Sequence, residues 1–199
     1  MRRVLFVDGS NLFGGISELL KPNQYIDFLA LLAAIETDLP VEEVRFYGTY
    51  MRIDPLKSAA YRLRVGAQKA FFDGVKDCPK VRFFKGHFSG AGKEKGVDVQ
   101  LAVDMALGAC TNEYDEAVIM TGDADLKYGV EMAKKHGKVI HMAAFGSRFP
   151  FGIVSLANKK YVYDLNGFFQ KSVLPIAKSR PKGLEVRELN GKVSILTKK

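Results

Sequence analysis

This chain has little of the chemistry that soft metals, disulfide scaffolds or membranes require. Its 199 residues include two cysteines and three histidines. Cys78 and Cys110 form no CxxC pair and no disulfide framework, which excludes a Cys/His zinc module and favours a reducing cytoplasm. No apolar run approaches the ~20 residues of a membrane-spanning helix. The apolar run after Arg2-Arg3 stops at Asp8 and is too short for the h-region of a signal peptide. The glycine-rich stretch 89–96 (Ser-Gly-Ala-Gly-Lys-Glu-Lys-Gly) contains neither GxxxxGK[ST] nor a GxGxxG between a strand and a helix, so it is no phosphate cradle. No internal repeat is visible.

What the chain does have is a sufficient core, a basic balance and well-placed aspartates. Its length suits one compact domain with room for a small appendage. The net charge is +8 with a pI near 9.4. That balance attracts a polyanion such as RNA or DNA, although charge alone fits a solubility role equally well. The excess is uneven: Lys178, Arg180, Lys182, Arg187, Lys192, Lys198 and Lys199 face only Glu185 and Glu188 in the last stretch.

Taken in order, residues 2–7 are an apolar run closed by Asp8-Gly9-Ser10-Asn11, a buried strand stopping at a turn and a helix start. Residues 11–20 carry apolar positions on one helical face, with Ser10 or Asn11 as the cap. Residues 25–39 are expected as a buried helix, 44–51 as the second strand, and 55–75 as a long helix with Pro55 in its first turn. Strands follow at 81–84, 117–120, 139–144 and 161–163. Helices are expected at 97–110, at 126–136 with Gly137 just past its end, and at 149–157. This alternation predicts an α/β fold with a mainly parallel sheet and helices on both faces. Asn190-Gly191 between two apolar runs predicts a C-terminal β-hairpin. The expected division is 1–178 for the main domain and 179–199 for a basic extension.

Two strand ends deliver acids: Asp8 after the first strand, and Asp123 with Asp125 after the strand at 117–120. Asp98 and Asp104 lie on the apolar helix, about 240° apart around its axis. In a parallel sheet, strand carboxyl ends form the ligand crevice. Several carboxylates in one crevice without a His or Cys cluster suit a hard cation, Mg²⁺ or Mn²⁺. Such an ion polarises a phosphodiester and generates a nucleophile from water. Basic surface for the backbone and acids for the metal make a coherent nuclease.

Three segments carry a family resemblance: Val-Asp-Gly-Ser-Asn-Leu at 7–12, Lys-Gly-Val-Asp-Val-Gln-Leu-Ala-Val-Asp at 95–104 and Ile-Met-Thr-Gly-Asp-Ala-Asp-Leu at 119–126. Together they resemble the three motifs of the NYN domain, in the PIN-like nuclease group, with the closest similarity to its LabA-like branch. The resemblance spans roughly residues 1–165 and does not reach the hairpin. It implies a Rossmann-like PIN-type fold and a ribonuclease dependent on Mg²⁺ or Mn²⁺. It also implies Asp8, Asp98 and Asp123 as core acids, Asp104 and Asp125 as further acids, and Asn11 as the polar residue orienting the first acid or the substrate. Thr121-Gly122 stands where many relatives have Ser-Gly, and Leu126 where Phe is common.

The resulting expectation is a cytoplasmic metal-dependent endonuclease favouring RNA over DNA, with no membrane partner; a homo-oligomer is compatible. Ser10, Lys93, Lys95 and Thr121 are candidates for substrate contact, and Tyr50 and Phe88 for stacking on bases. Single residues also have plainer roles. Asp8 suits a turn, Asp98 a helix N-terminus, and Asp125 a cap. A salt bridge would account for Asp104. His87 and His141 are expected as surface or structural residues, His136 as a helix-end cation, and Cys110 as core. The alternatives from other classes are a weakly active binding module on the same fold, and a haloacid-dehalogenase-type phosphatase. The phosphatase needs DxD, and position 10 is Ser.

Overall fold

Arg3–Asp8 form the strand β1, buried along its length from Val4 onward. Its alternation sends Leu5 and Val7 into one apolar layer and Val4 and Phe6 into the other, so the strand needs cover on both faces. The computed structural model, which describes residues 1–89, 94–145, 150–163, 176–177, 185–188 and 193–195, supplies that cover.

After β1 come α1 (Gly9–Leu19), β2 (Gln24–Ile26), α2 (Phe28–Asp38), β3 (Glu43–Gly48), α3 (Ala59–Lys76) and β4 (Val81–Lys85). A two-residue ribbon, β5 (His87–Phe88) with β6 (Glu94–Lys95), leads into α4 (Val97–Cys110). Then follow β7 (Glu116–Met120), a 3-10 turn (Ala124–Leu126), α5 (Lys127–Lys135), β8 (Val139–Phe145), α6 (Phe151–Val154), β9 (Lys159–Tyr163) and β10 (Ile176–Ala177). Seven strands form one sheet in the order β10-β9-β8-β7-β1-β3-β4, parallel throughout.

From β1 the chain builds outward through β3 and β4, then returns to lay β7 on the other side of β1. Strand order therefore reverses between β1 and β7, and the crevice opens at their carboxyl ends. Val7 pairs with Met120 there, and Asp8 pairs with Tyr47 of β3.

The helices divide by face. α1, α2 and α3 cover one side with Phe13, Phe28, Phe71 and Phe72 packed on Phe46. Ring centroids in this cluster lie 5.4–6.4 Å apart in edge, tilted and stacked arrangements, each worth about 0.5–1.5 kcal/mol beyond area burial. α4, α5 and α6 cover the other side with Leu101, Met105, Val130 and Ile153. Among the described residues no helix is long and apolar enough to cross a membrane.

Several sequence expectations shift. The helix after β1 starts at Gly9, and Asp8 itself is its N-cap. Tyr25 belongs to β2, because Asp27 caps α2 through the amides of Leu29 and Ala30 and fixes the helix start at Phe28. Pro55 lies outside α3, which Ser58 caps at Tyr61. The 126–136 segment opens as a 3-10 turn capped by Asp123. Cys110 is exposed, with its thiol 3.1 Å from Nε2 of His136. The expected hairpin strands are present as β11 (Glu185–Glu188) and β12 (Val193–Ile195), antiparallel to each other, and β11 also pairs with β2. The Asn190-Gly191 turn lies outside the described residues.

Candidate active site

Asp8 ends β1 at the topological reversal and is 3% exposed. Its carboxylate is held on both oxygens. The backbone N–H of Asn11 donates to Oδ1 at 2.9 Å, and the Thr121 hydroxyl donates to Oδ2 at 2.9 Å. Gly9 makes this placement possible. A Cβ there would stand 2.2 Å from the Phe46 ring and 2.8 Å from the Tyr47 carbonyl oxygen, so only glycine lets α1 start against β3.

The loop after β7 is laced to the same point. The side-chain carbonyl of Asn11 accepts from Gly122 N–H at 2.8 Å, and the Thr121 oxygen accepts from Asp123 N–H at 3.0 Å. Asp123 Oδ1 in turn accepts from Asp125 N–H at 2.9 Å. These bonds, each worth about 1 kcal/mol net, tie the ends of two neighbouring strands into one rigid floor.

Burial dominates the electrostatics. It pushes the Asp8 carboxyl from 3.8 up to about 6, against the two hydrogen bonds that favour its charged form. The negative charges of Asp98 and Asp123 add smaller shares of that same rise. Asp98 reaches this field from the first turn of α4. Gly96, at φ +88°, turns the chain into that helix in a backbone conformation that favours glycine. A buried carboxyl raised by burial and by two neighbouring carboxylates is an arrangement that a cation relieves.

Asp8, Asp98 and Asp123 thus share one electrostatic environment, as their strand-end and helix-start positions suggest. As the side chains stand, no three His, Cys, Asp or Glu groups among the described residues are set to hold an ion. The donor chemistry nevertheless fits Mg²⁺ or Mn²⁺. All three groups are oxygen donors, and Mg²⁺ commonly takes one or two carboxylates and keeps several waters.

The other expected residues have different surroundings. Asp104 lies about 9 Å along α4 from Asp98 and accepts from the Tyr47 hydroxyl at 2.9 Å. Among the described residues a tyrosine, and not a salt bridge, satisfies this acid on its apolar helix. Burial, and then the charge of Asp104, push the Tyr47 hydroxyl well above its ordinary value. Thr121 is buried, and its hydroxyl links Asp8 to the Asp123 amide, which makes it part of the floor. Asp125 is exposed on the 3-10 turn. Lys95 is exposed on β6 opposite His87. Lys93 lies outside the described residues. Ser10 lines a cleft of about 540 Å³ beside the floor, together with Phe88. Tyr50 is committed elsewhere, donating to Asp73 at 2.9 Å.

Two features escaped the sequence reading. Gln68 of α3 is 4% exposed, and its Oε1 accepts from Met51 N–H at 2.6 Å, fixing the loop after β3. A polar residue one position after Ala67 on the apolar face of α3 was the available signal. Arg45, expected only as part of a strand, bonds Glu43 and Glu113.

Comparisons with known proteins bear on the family and the fold. The NYN domain profile matches residues 2–164. Over 80 residues the chain is 30% identical to the uncharacterized protein y4oD of Sinorhizobium fredii (strain NBRC 101917 / NGR234). That match spans 38% of this chain and 37% of the relative's length. The crystal structure of VPA0982, a protein of unknown function from Vibrio parahaemolyticus RIMD 2210633, superposes with a TM-score of 0.58 at 14% identity. It covers 81% of this chain and 91% of that one, a likeness of fold.

Proposed function

Because the chain belongs to the NYN domain family, whose fold is of the PIN-like nuclease type, we propose that it is a metal-dependent endoribonuclease. The observation that carries this is Asp8: buried at the strand reversal, fixed on both oxygens, and within the field of Asp98 and Asp123. We assign the chain to the LabA-like branch on its three motifs.

Asp8, Asp98 and Asp123 would hold Mg²⁺ or Mn²⁺, with Asp125 as a further acid. The ion would supply Lewis acidity and an activated water for phosphodiester hydrolysis. The chain's own residues do the positioning. Asn11 N–H and the Thr121 hydroxyl aim the Asp8 carboxylate into the crevice, and Asn11 Oδ1 keeps the β7 loop in register with α1. Lys95, beside Asp98 in sequence, meets backbone phosphate. No side-chain nucleophile is required. Asp104, bonded by Tyr47, supports α4 instead of the ion.

A second reading, a regulatory RNA-binding module with little activity, draws on the three acids not being set to enclose an ion. One experiment separates the two. Labelled single-stranded RNA and DNA are incubated with the protein in Mn²⁺, Mg²⁺ or EDTA, beside Asp8→Asn. The nuclease cleaves RNA only with metal and loses cleavage in the variant. Cutting that survives both EDTA and the substitution rejects the metal-acid site. Binding without cleavage under every condition assigns the module.

A further inference from the structure

The cleft of about 540 Å³ is not used by the chemistry above. It begins at Ser10, two residues after Asp8, and is bounded by the loop after β3, by α3 and by β5. Its volume falls within the ~300–1,000 Å³ typical of ligand sites.

Its lining is specific. The Arg52 guanidinium lies over the Phe88 ring at 4.5 Å, forming a cationic aromatic stack at one wall. Met51 and the 75% exposed Ile53 add apolar surface. Tyr61 donates its hydroxyl to the Arg52 carbonyl, and Gln68 holds the Met51 amide, so this wall is braced from α3. Arg64 projects from α3 into the lining, and Asp54 is the acid of the set.

The cleft holds two arginines, Arg52 and Arg64, against the single acid Asp54. Arg2, Arg3, Arg45, Lys69, Lys80 and Arg82 each have a carboxylate partner. Among the described residues Arg52 and Arg64 are in no salt bridge, although Asp54 lines the same cleft. Two cations without a carboxylate partner among the described residues, one of them stacked on an aromatic ring, match a ligand that has a π face and carries negative charge.

We propose that this cleft takes one unpaired nucleotide of the substrate strand, with its base against the Arg52–Phe88 stack and its phosphate at Arg64. This inference rests on the nuclease reading and names its substrate as a single strand. A base still paired in a duplex has no free face to offer the stack, whereas an unpaired one stacks without regard to sequence. With Ser10 as the shared border, the bound nucleotide flanks the phosphodiester at Asp8.

The test uses the full chain and fluorescence anisotropy in EDTA, so that binding is read without turnover. The probes are a labelled single-stranded RNA, the same sequence as DNA, and the RNA duplex. The variants are Phe88→Leu, Arg64→Met and Arg64→Lys; Phe88 is half-buried and Arg64 exposed, and circular dichroism checks that each is folded. Phe88→Leu is expected to weaken single-strand binding about tenfold with duplex binding within about twofold. Arg64→Met weakens single-strand binding, and Arg64→Lys recovers part of it. Loss shared equally by single strand and duplex, or no loss in folded variants, overturns the proposal. If wild type cleaves and the variants bind normally, the cleft fails and the nuclease stands. If wild type never cleaves but the variants lose single-strand binding selectively, the nuclease reading fails and the cleft stands as a nucleotide site. RNA and DNA losing affinity alike assign base and phosphate as the recognised groups; a loss confined to RNA adds the 2′-hydroxyl.

Discussion

At the amino end of β7, Glu116 accepts from Arg3 Nε at 2.6 Å and stands 3.3 Å from His141. Arg45, on β3 across β1, is matched with Glu43 and Glu113. At the carboxyl end of the same strands, among the described residues, no salt bridge joins Asp8 or Asp123 to a lysine or arginine. The acids there meet hydroxyl and amide donors and one another's charge. The same residue class thus has two uses within about 20 Å of sheet, the length of one strand. Where an acid faces arginine it fastens the fold. Where it is buried without a cation it costs stability and is open to one from solution.

Asp8→Asn tests this contrast most strongly. As a proposed metal ligand it should lose at least about a hundredfold in cleavage rate, since supporting partners alone commonly cost 10–100-fold. In EDTA the same variant should be more stable than wild type near neutral pH, by about 1 kcal/mol. The sign follows from linkage. Asp8's folded pKa, about 6, exceeds its ordinary 3.8. Stability from its protonated form is complete below pH ~4 and is lost as pH rises through ~6. The variant lacks that slope. Added Mn²⁺ should raise the wild-type Tm at pH 7 and leave the variant's unchanged. Thermal melts across pH, with and without metal, check it; a variant less stable than wild type at every pH would reject the cost assigned to Asp8.

Asn11→Ala removes the clip to Gly122 while keeping the backbone donor to Asp8. Cleavage should fall about 10–100-fold and stability by about 1 kcal/mol. An equal fall in RNA affinity in EDTA would instead make Asn11 a substrate contact.

Glu116→Gln breaks the opposite end. The pair is largely buried, so about 2–4 kcal/mol of stability should go, while metal-dependent cleavage at low temperature is retained. His141 adds a pH signature. Burial holds its pKa below 6.5, with Glu116 opposing that shift. Its contribution is present above pH ~6.5 and lost as pH falls toward its folded value. Without Glu116 that acid-side loss should steepen. Melts at several pH values and a cleavage assay check both halves.

These contrasts also show what the sequence made legible. Alternation of apolar and acid-ended strands was enough to place Asp8 and Asp123 at one edge, because parallel strands all point their carboxyl ends the same way. The α4 boundaries emerged as expected, Val97–Cys110. The sequence pattern places the start of α1 too late, because Asp8 combines capping with its place in the site, and a cap is invisible until its hydrogen bond is known. The apolar neighbours of Cys110 predict a core position, yet it ends α4 on the solvent side. Asp104 joins the acids in the sequence because an acid within an apolar helix needs a partner and because it matches an acidic position of the family motif. Its partner, Tyr47, sits 57 positions away on β3, and cross-element pairs of this kind leave no local pattern. Arg52 and Phe88 meet for the same reason, through a loop and a ribbon whose approach no periodicity encodes.

Tyr47→Phe produces the smallest expected effect and decides to which end Asp104 belongs. The ring stays stacked on Phe84, whose centroid is 4.7 Å away, so packing is preserved and only the hydroxyl is removed. Asp104 then loses its donor at a half-buried position, a loss of about 1 kcal/mol and roughly 2–4 °C in Tm for a chain of this size. If Asp104 supports α4, cleavage should stay within about threefold and its Mn²⁺ dependence should not move, since hydrogen-bonded partners of a ligand normally change metal affinity by 10-fold or more. A shift of that size in the Mn²⁺ concentration giving half-maximal cleavage would return Asp104 to the ion's surroundings, with Tyr47 as the residue that orients it.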